Sequence, residues 1–245
     1  SHLLEVLKEQ DILLHHPYNS FDWVLALLDQ AASDPHVLAI KMTIYRLAEH
    51  SAIIAALCKA AKLGKNVVVL IEAKARVDEE NNLYAAHELE KGGCFVIYGT
   101  GSNTKVHAKA MLIVRKIATQ TTRYVHLSSG NYNEDTAQKY TDIGLLTTQE
   151  SYADDVVAFF NTITGHSQPP HYTHLVTKPF NLRDKLTGLI EREIENAHRG
   201  LPCGVAIKVN ALEDKAMIET LYKASQAGVP IRLIVRGICC LVPGV

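Results

Sequence analysis

Lys65-Asn-Val-Val-Val-Leu-Ile-Glu72 is a nearly unbroken apolar run of strand length, and a strand of that composition is one buried on both faces. Upstream of it, Ser51 to Leu63 carries Ala and Leu at helical spacing and is closed by Gly64. Before that helix, Val37-Leu-Ala-Ile-Lys-Met-Thr-Ile44 reads as a second strand. Strand, helix and strand at this spacing make a βαβ unit, which sets the two strands parallel and gathers binding groups beyond their carboxyl ends. Tyr45-Arg46 follows the first strand, and Ala73-Lys74-Ala75-Arg76 extends the second, so both ends deliver a cation. A further helix over about Glu79 to Glu90 has an acidic first turn that suits the helix dipole. It is ended by Gly92-Gly93 and followed by the strand Phe95 to Tyr98.

The glycine-rich loop Gly99 to Asn103 leads into Lys105-Val-His107-Ala-Lys109. In an extended chain Lys105, His107, Lys109 and Met111 share one face, while Val106, Ala108, Ala110 and Leu112 form an apolar one. The apolar face is expected to bury. The other presents an imidazole between ammonium groups, a set able to grip and attack a phosphate. After a polar reversal at Ile117 to Thr122, Arg123 to Ser128 returns antiparallel with Tyr124, His126 and Ser128 on one face. Gly130-Asn131-Tyr132-Asn133 then gives a turn whose backbone N–H groups suit an anion. Asp142 to Thr148 reads as a strand, Tyr152 to Thr162 as a helix, and Gly165 to Pro170 as a linker.

Nearer the amino terminus, Leu3 to Leu14 carries helical spacing, with Pro17 against its continuation, and a helix is expected over about Phe21 to Ala32. His15-His16 and the pair His171 and His174 read as surface residues, and Cys239-Cys240 as small buried apolar ones. Beyond the linker the pattern restarts. Ala39-Ile-Lys-Met-Thr43 is echoed by Ala206-Ile-Lys-Val-Asn210, and the run from Gly64 by the run from Gly228. A duplicated α/β architecture follows, with a first domain over 1–174 and the start of a second over 175–245.

The composition, 47% apolar and 21% charged, is that of an ordinary globular chain. No apolar run reaches membrane-span length, and the five cysteines contain no CxxC pair, against a disulfide framework or a zinc site. A reducing cytoplasm is the expected location. A formal charge of −1 excludes a broadly basic nucleic-acid surface, so a polyanion must be held by a local cluster of cations. The start at Ser1, without an initiator Met or signal peptide, and the final residues read as an excised piece of a longer protein.

His-x-Lys followed by a Gly-Asn turn resembles the phospholipase D superfamily. The sequence is closer still to the catalytic half of the type 1 polyphosphate kinases. That resemblance rests on Ala39-Ile-Lys with Ile44-Tyr-Arg46, Glu72-Ala-Lys-Ala-Arg-Val-Asp-Glu-Glu80, Val106-His-Ala-Lys109, Gly130-Asn-Tyr-Asn133, Tyr140-Thr-Asp142, Gly200-Leu-Pro202 and Leu233-Ile-Val-Arg-Gly237. Val114 stands where the wider superfamily has an Asp, which weakens a phosphodiesterase reading. The resemblance implies a mixed sheet flanked by helices and a reversible transfer of the ATP γ-phosphate to inorganic polyphosphate through a phosphohistidine. His107 takes the role of nucleophile, with Lys109 neutralising phosphate charge. Arg46 and Arg76 take the positions associated with the magnesium site. Arginine has no lone pair for a metal, so both are expected to hold phosphate while Mg²⁺ rides on the phosphates and water. Tyr140 and Arg236 take nucleotide-contacting positions, Asn131 a phosphate-binding one, and His126 that of a second, supporting histidine. ATP or ADP and polyphosphate are the implied partners, with no nucleic acid and a homo-oligomer at full length. The family's second-copy histidine and amino-terminal region have no counterpart here, so this chain alone is expected to be inactive or nearly so. A phospholipase D-type hydrolase and a non-catalytic polyanion-binding module are the other two readings.

Overall fold

The structure is a computed structural model and describes residues 2–48, 50–72, 79–99, 106–165, 171–178 and 181–245. The chain divides into two compact units, residues 1–174 and 175–245. In the first, seven strands form one mixed sheet: β1 (Ile12–His16), β2 (Val37–Ile44), β3 (Asn66–Ile71), β4 (Phe95–Tyr98), β5 (Lys109–Ile117), β6 (Gln120–Ser128) and β7 (Asp142–Thr147). Their order across the sheet is β1-β7-β6-β5-β2-β3-β4. β2, β3 and β4 run parallel, as the βαβ spacing predicts, and β5, β6, β7 and β1 follow as an antiparallel meander.

One face is covered by α1 (Leu3–Glu9), α2 (Asp22–Ser33), α3 (Ala52–Lys62) and α4 (Glu79–Lys91), which share a core with alternate residues of the strands, among them Ile40, Met42, Val69, Met111 and Ile113. α3 starts where the Ser51 hydroxyl accepts the Ile53 N–H, a side-chain cap. On the opposite face α5 (Glu150–Gly165) lies against β5 and β6 and buries Ala153, Val156 and Phe160.

The second unit contains α6 (Leu182–His198), β8 (Val205–Val209), α7 (Lys215–Gln226) and β9 (Ile231–Val235). β8 and β9 pair in parallel about α7, whose first turn is capped by the Asp214 carboxylate accepting the Met217 N–H at 3.0 Å. The echoed stretch Ala206 to Asn210 falls on β8 and its next residue, as Ala39 to Thr43 falls on β2.

Four expectations change. Leu3 to Leu14 is not one helix: Gln10 takes an extended backbone, and Ile12–His16 pairs with β7 as an edge strand. Strand alternation then turns Leu14 and His16 inward, so His16 is buried rather than a surface residue. β5 is buried on both faces, Met111 and Ile113 as fully as Ala110 and Leu112, because helices cover each side of the sheet. The exposed residues nearest its start are His107 and Ala108, just before the strand. Cys239 and Cys240 are exposed beyond β9 instead of buried.

A buried ion cluster ties the amino terminus to the sheet. Arg115 of β5 pairs with Glu5 of α1 at 2.6 Å and with Asp34 after α2 at 3.0 Å. Burial opposes its charge, but hydrogen bonds with Glu5, Tyr124 and Asp34 raise the guanidinium above its ordinary pKa. Removing one partner strands a buried charge on Asp34. Arg115→Met is expected to lower unfolding free energy by about 3–5 kcal/mol, read from the shift in a urea-unfolding midpoint.

Candidate active site

Sheet topology decides where the functional side chains meet. Because β5 runs against β2, its first residues lie at the carboxyl ends of β2, β3 and β4, beside the end of β6 and the start of β7. That edge collects Tyr45 and Arg46 after β2, Glu72 after β3, His107 and Lys109 at the start of β5, Ser128 to Asn131 after β6, and Tyr140 and Asp142 at the approach to β7.

At its centre His107 is exposed, while Lys109 is buried to 8% of its surface. The Lys109 Nζ is nearly equidistant from the two imidazole nitrogens, 3.0 Å from Nδ1 and 3.2 Å from Nε2. The Tyr45 ring meets the imidazole edge to face, with centroids 4.6 Å apart and planes at 87°. Arg46 and Lys109 both place their cations by the same tyrosine ring, at 5.4 and 5.7 Å from its centroid. Burial, aided by the Arg46 charge and offset by Asp142, lowers the Lys109 ammonium to a pKa of about 8.

The backbone carrying these residues is held by side chains. The Thr43 hydroxyl donates to the Ala108 carbonyl at 2.8 Å and accepts the Ala110 N–H at 3.0 Å. The Glu72 carboxylate, 2% exposed, accepts the Val106 N–H at 3.2 Å. The Asn82 amide donates to the Tyr45 carbonyl at 2.7 Å and to the Glu72 carbonyl at 3.0 Å, clasping the ends of β2 and β3 together.

Of the residues read from the sequence, His107, Lys109 and Arg46 come together here. Asn131 sits in the turn after β6, its Oδ1 buried with no hydrogen-bond partner among the described residues. Tyr140 is 40% exposed, two residues before β7. His126 is enclosed: its Nδ1 lies 2.7 Å from the Tyr132 hydroxyl and its ring covers the space above Gly144, where a Cβ would stand 2.8 Å from Nε2. Arg236 lies at the carboxyl end of β9 in the second unit. Arg76 and Lys105 lie outside the described residues. Thr43, Glu72, Asn82 and the Tyr45 contact were not read as functional from the sequence. The available signal was a polar residue within or directly after a strand otherwise apolar.

The described residues do not build a cage for a magnesium ion, since no three His, Cys, Asp or Glu side chains among them converge on one point. No helix among them is long and apolar enough to cross a membrane.

An exposed imidazole set against a buried ammonium and a guanidinium, at the carboxyl edge of a mixed α/β sheet, defines a domain suited to handling phosphate groups. Comparison with known proteins gives the family. The polyphosphate kinase C-terminal domain 1 matches residues 2–169 and the polyphosphate kinase C-terminal domain 2 matches residues 175–245, and the chain belongs to the polyphosphate kinase family. The polyphosphate kinase of Staphylococcus haemolyticus is 47% identical over the whole of this chain and 34% of its own length. That of Halalkalibacterium halodurans is 49% identical over all of this chain and 35% of its own. The crystal structure of polyphosphate kinase from Porphyromonas gingivalis superposes with a TM-score of 0.86 at 43% identity, covering 99% of this chain and 40% of that one. NucT from Helicobacter pylori, at 15% identity and a TM-score of 0.50 over 64% of this chain and 96% of its own, shares the fold alone. The chain thus spans about a third of the length of the curated relatives it matches.

The enclosed His126 gives a test of this packing. Burial, with a smaller contribution from His16, lowers its pKa from the ordinary 6.5 to about 3. A base whose folded pKa is depressed takes up its proton preferentially in the unfolded chain, so its contribution to stability is complete above 6.5 and is lost as pH falls from 6.5 towards 3. His126→Asn keeps a polar group near the Tyr132 hydroxyl without a titrating ring. Unfolding free energy measured against pH is expected to fall less steeply over that window in the variant than in the parent.

Proposed function

We propose that this region carries the phosphoryl-transfer centre of a polyphosphate kinase, moving the γ-phosphate of ATP reversibly to inorganic polyphosphate by way of a phosphohistidine at His107. The observation that carries the reading is the pairing of an exposed His107 with a buried lysine 3.0 Å from its ring. An imidazole nitrogen attacks the γ-phosphorus, the bond to the β-γ bridging oxygen breaks, and ADP leaves with that electron pair. The terminal oxygen of polyphosphate then attacks the same phosphorus, the phosphorus–nitrogen bond breaks, and the imidazole is regenerated. Lys109, near both ring nitrogens, reaches the oxygens of a phosphoryl group on either one, and Arg46 adds a second fixed cation. Holding these charges in place beforehand avoids reorganising water as negative charge gathers at the transferred group. A magnesium ion bound with the nucleotide would neutralise part of the phosphate charge, and Arg46 and Arg76 would hold phosphate oxygens beside it. Asn131 and the turn after β6 hold phosphate, Tyr140 and Arg236 contact the nucleotide, and Arg76 acts with Arg46. The second unit begins a copy of the first, and the complete chain assembles as a homo-oligomer.

Incubating a chain of the relatives' full length with ATP and Mg²⁺ is expected to put an acid-labile, base-stable phosphate on His107, found by mass spectrometry under alkaline conditions and absent from His107→Ala. An intact chain that turns over ATP with no phosphate on that residue contradicts the reading.

The lysine adds a pH signature. Lys109 must be charged to meet phosphate, and that charge is lost as pH rises through about 8. The kcat/KM for ATP, which reports the free enzyme, is expected to fall on an alkaline limb near pH 8. In Lys109→Arg, where the cation does not deprotonate, the limb is expected to vanish from the range below pH 10.

A further inference from the structure

His107 is exposed because its backbone has left the sheet. The ladder between β2 and β5 ends at the pair Met42 and Met111, and that between β5 and β6 at Lys109 and Ser128. A segment past the end of its ladder normally gives its peptide groups to water and gains freedom with them. Here two buried side chains take the place of the missing strand. Thr43, the residue after the last β2 partner and only 3% exposed, bonds to Ala108 and to Ala110, on either side of Lys109. Glu72, just past the end of β3, bonds to Val106, the residue before His107. Gly99, at the end of β4, lets the chain pass directly over that carboxylate, since a Cβ there would stand 2.7 Å from Glu72 Oε2.

We propose that Thr43 and Glu72 are positioning residues of the transfer centre, fixing the backbone of Val106 to Ala110 so that His107 and Lys109 meet the same phosphoryl group. Both side chains act through the peptide groups beside His107 and Lys109. The inference rests on the phosphohistidine reading and deepens it: the separation of imidazole and ammonium is set from the neighbouring strand ends and not by the local sequence.

A residue of this kind affects the chemical step more than binding, because a displacement of about 1 Å in a reacting group costs up to roughly 100-fold in rate. Thr43→Val keeps the buried shape and removes the hydroxyl, while Thr43→Ser keeps the hydroxyl. In a chain of the relatives' full length, the single-turnover rate of labelling His107 from γ-labelled ATP is expected to fall about 10- to 100-fold in Thr43→Val. The dissociation constant for ATP is expected to stay within about threefold, and Thr43→Ser to recover the parental rate within about threefold. Glu72→Met, which removes the acceptor at the other end of the segment, is the second variant and is expected to show the same split. Labelling at the parental rate, rate and affinity falling together, or loss of the fold in both variants overturns the proposal. A parent chain that takes no label on His107 brings down the phosphohistidine reading itself, an outcome distinct from a labelled parent with equally labelled variants.

Discussion

An exposed histidine and a paired backbone are competing demands, and the start of β5 is arranged around their conflict. Residues of the inner strands have strand neighbours on both sides, but β5 and β6 are covered by helices on both faces. A histidine inside the β5–β6 ladder is buried, as His126 is. One beyond the ladder is accessible but loses the constraint the ladder supplies. The segment Val106 to Ala108 meets both demands by lying outside the sheet while remaining hydrogen-bonded to Thr43 and Glu72.

The same edge resolves an electrostatic conflict. A lysine buried beside an imidazole and near a guanidinium is disfavoured as a cation, which is why Lys109 sits well below its ordinary pKa. Asp142 offsets part of that cost and is itself anchored, accepting the Ser129 hydroxyl at 2.9 Å.

Much of the architecture was legible in local pattern. Val37–Ile44 and Phe95–Tyr98 form strands with the boundaries their apolar runs give, each bounded by turn residues. The helices over α2, α3 and α4 followed from the sequence pattern, α3 and α4 also from the glycines at their ends. Leu3 to Leu14 misled because its apolar residues fit a period of 3.6 as well as one of 2, and pairing with β7, more than 120 residues away in sequence, decided between them. His107 and Lys109 were legible as a pair since two residues of an extended chain share a face. Their support was not. Thr43 reaches Ala108 across 65 residues and Glu72 reaches Val106 across 34, and no periodicity reports a hydrogen bond between positions so far apart. The burial of His16 and His126 was hidden for the same reason, as it depends on which strands become neighbours.

The claim on which this account stands is that the His107 imidazole is the atom-bearing stop between nucleotide and polymer, with Lys109 against the phosphate it carries. The most direct measurement is a crystal structure of the full-length chain trapped after reaction with ATP in the absence of acceptor polymer. The account requires a phosphoryl group bonded to a ring nitrogen of His107, with the Lys109 Nζ within hydrogen-bond distance of its oxygens and Thr43 and Glu72 still holding the flanking backbone. An unmodified His107 with phosphate bonded to another side chain, or a phosphorylated ring turned away from Lys109, contradicts it.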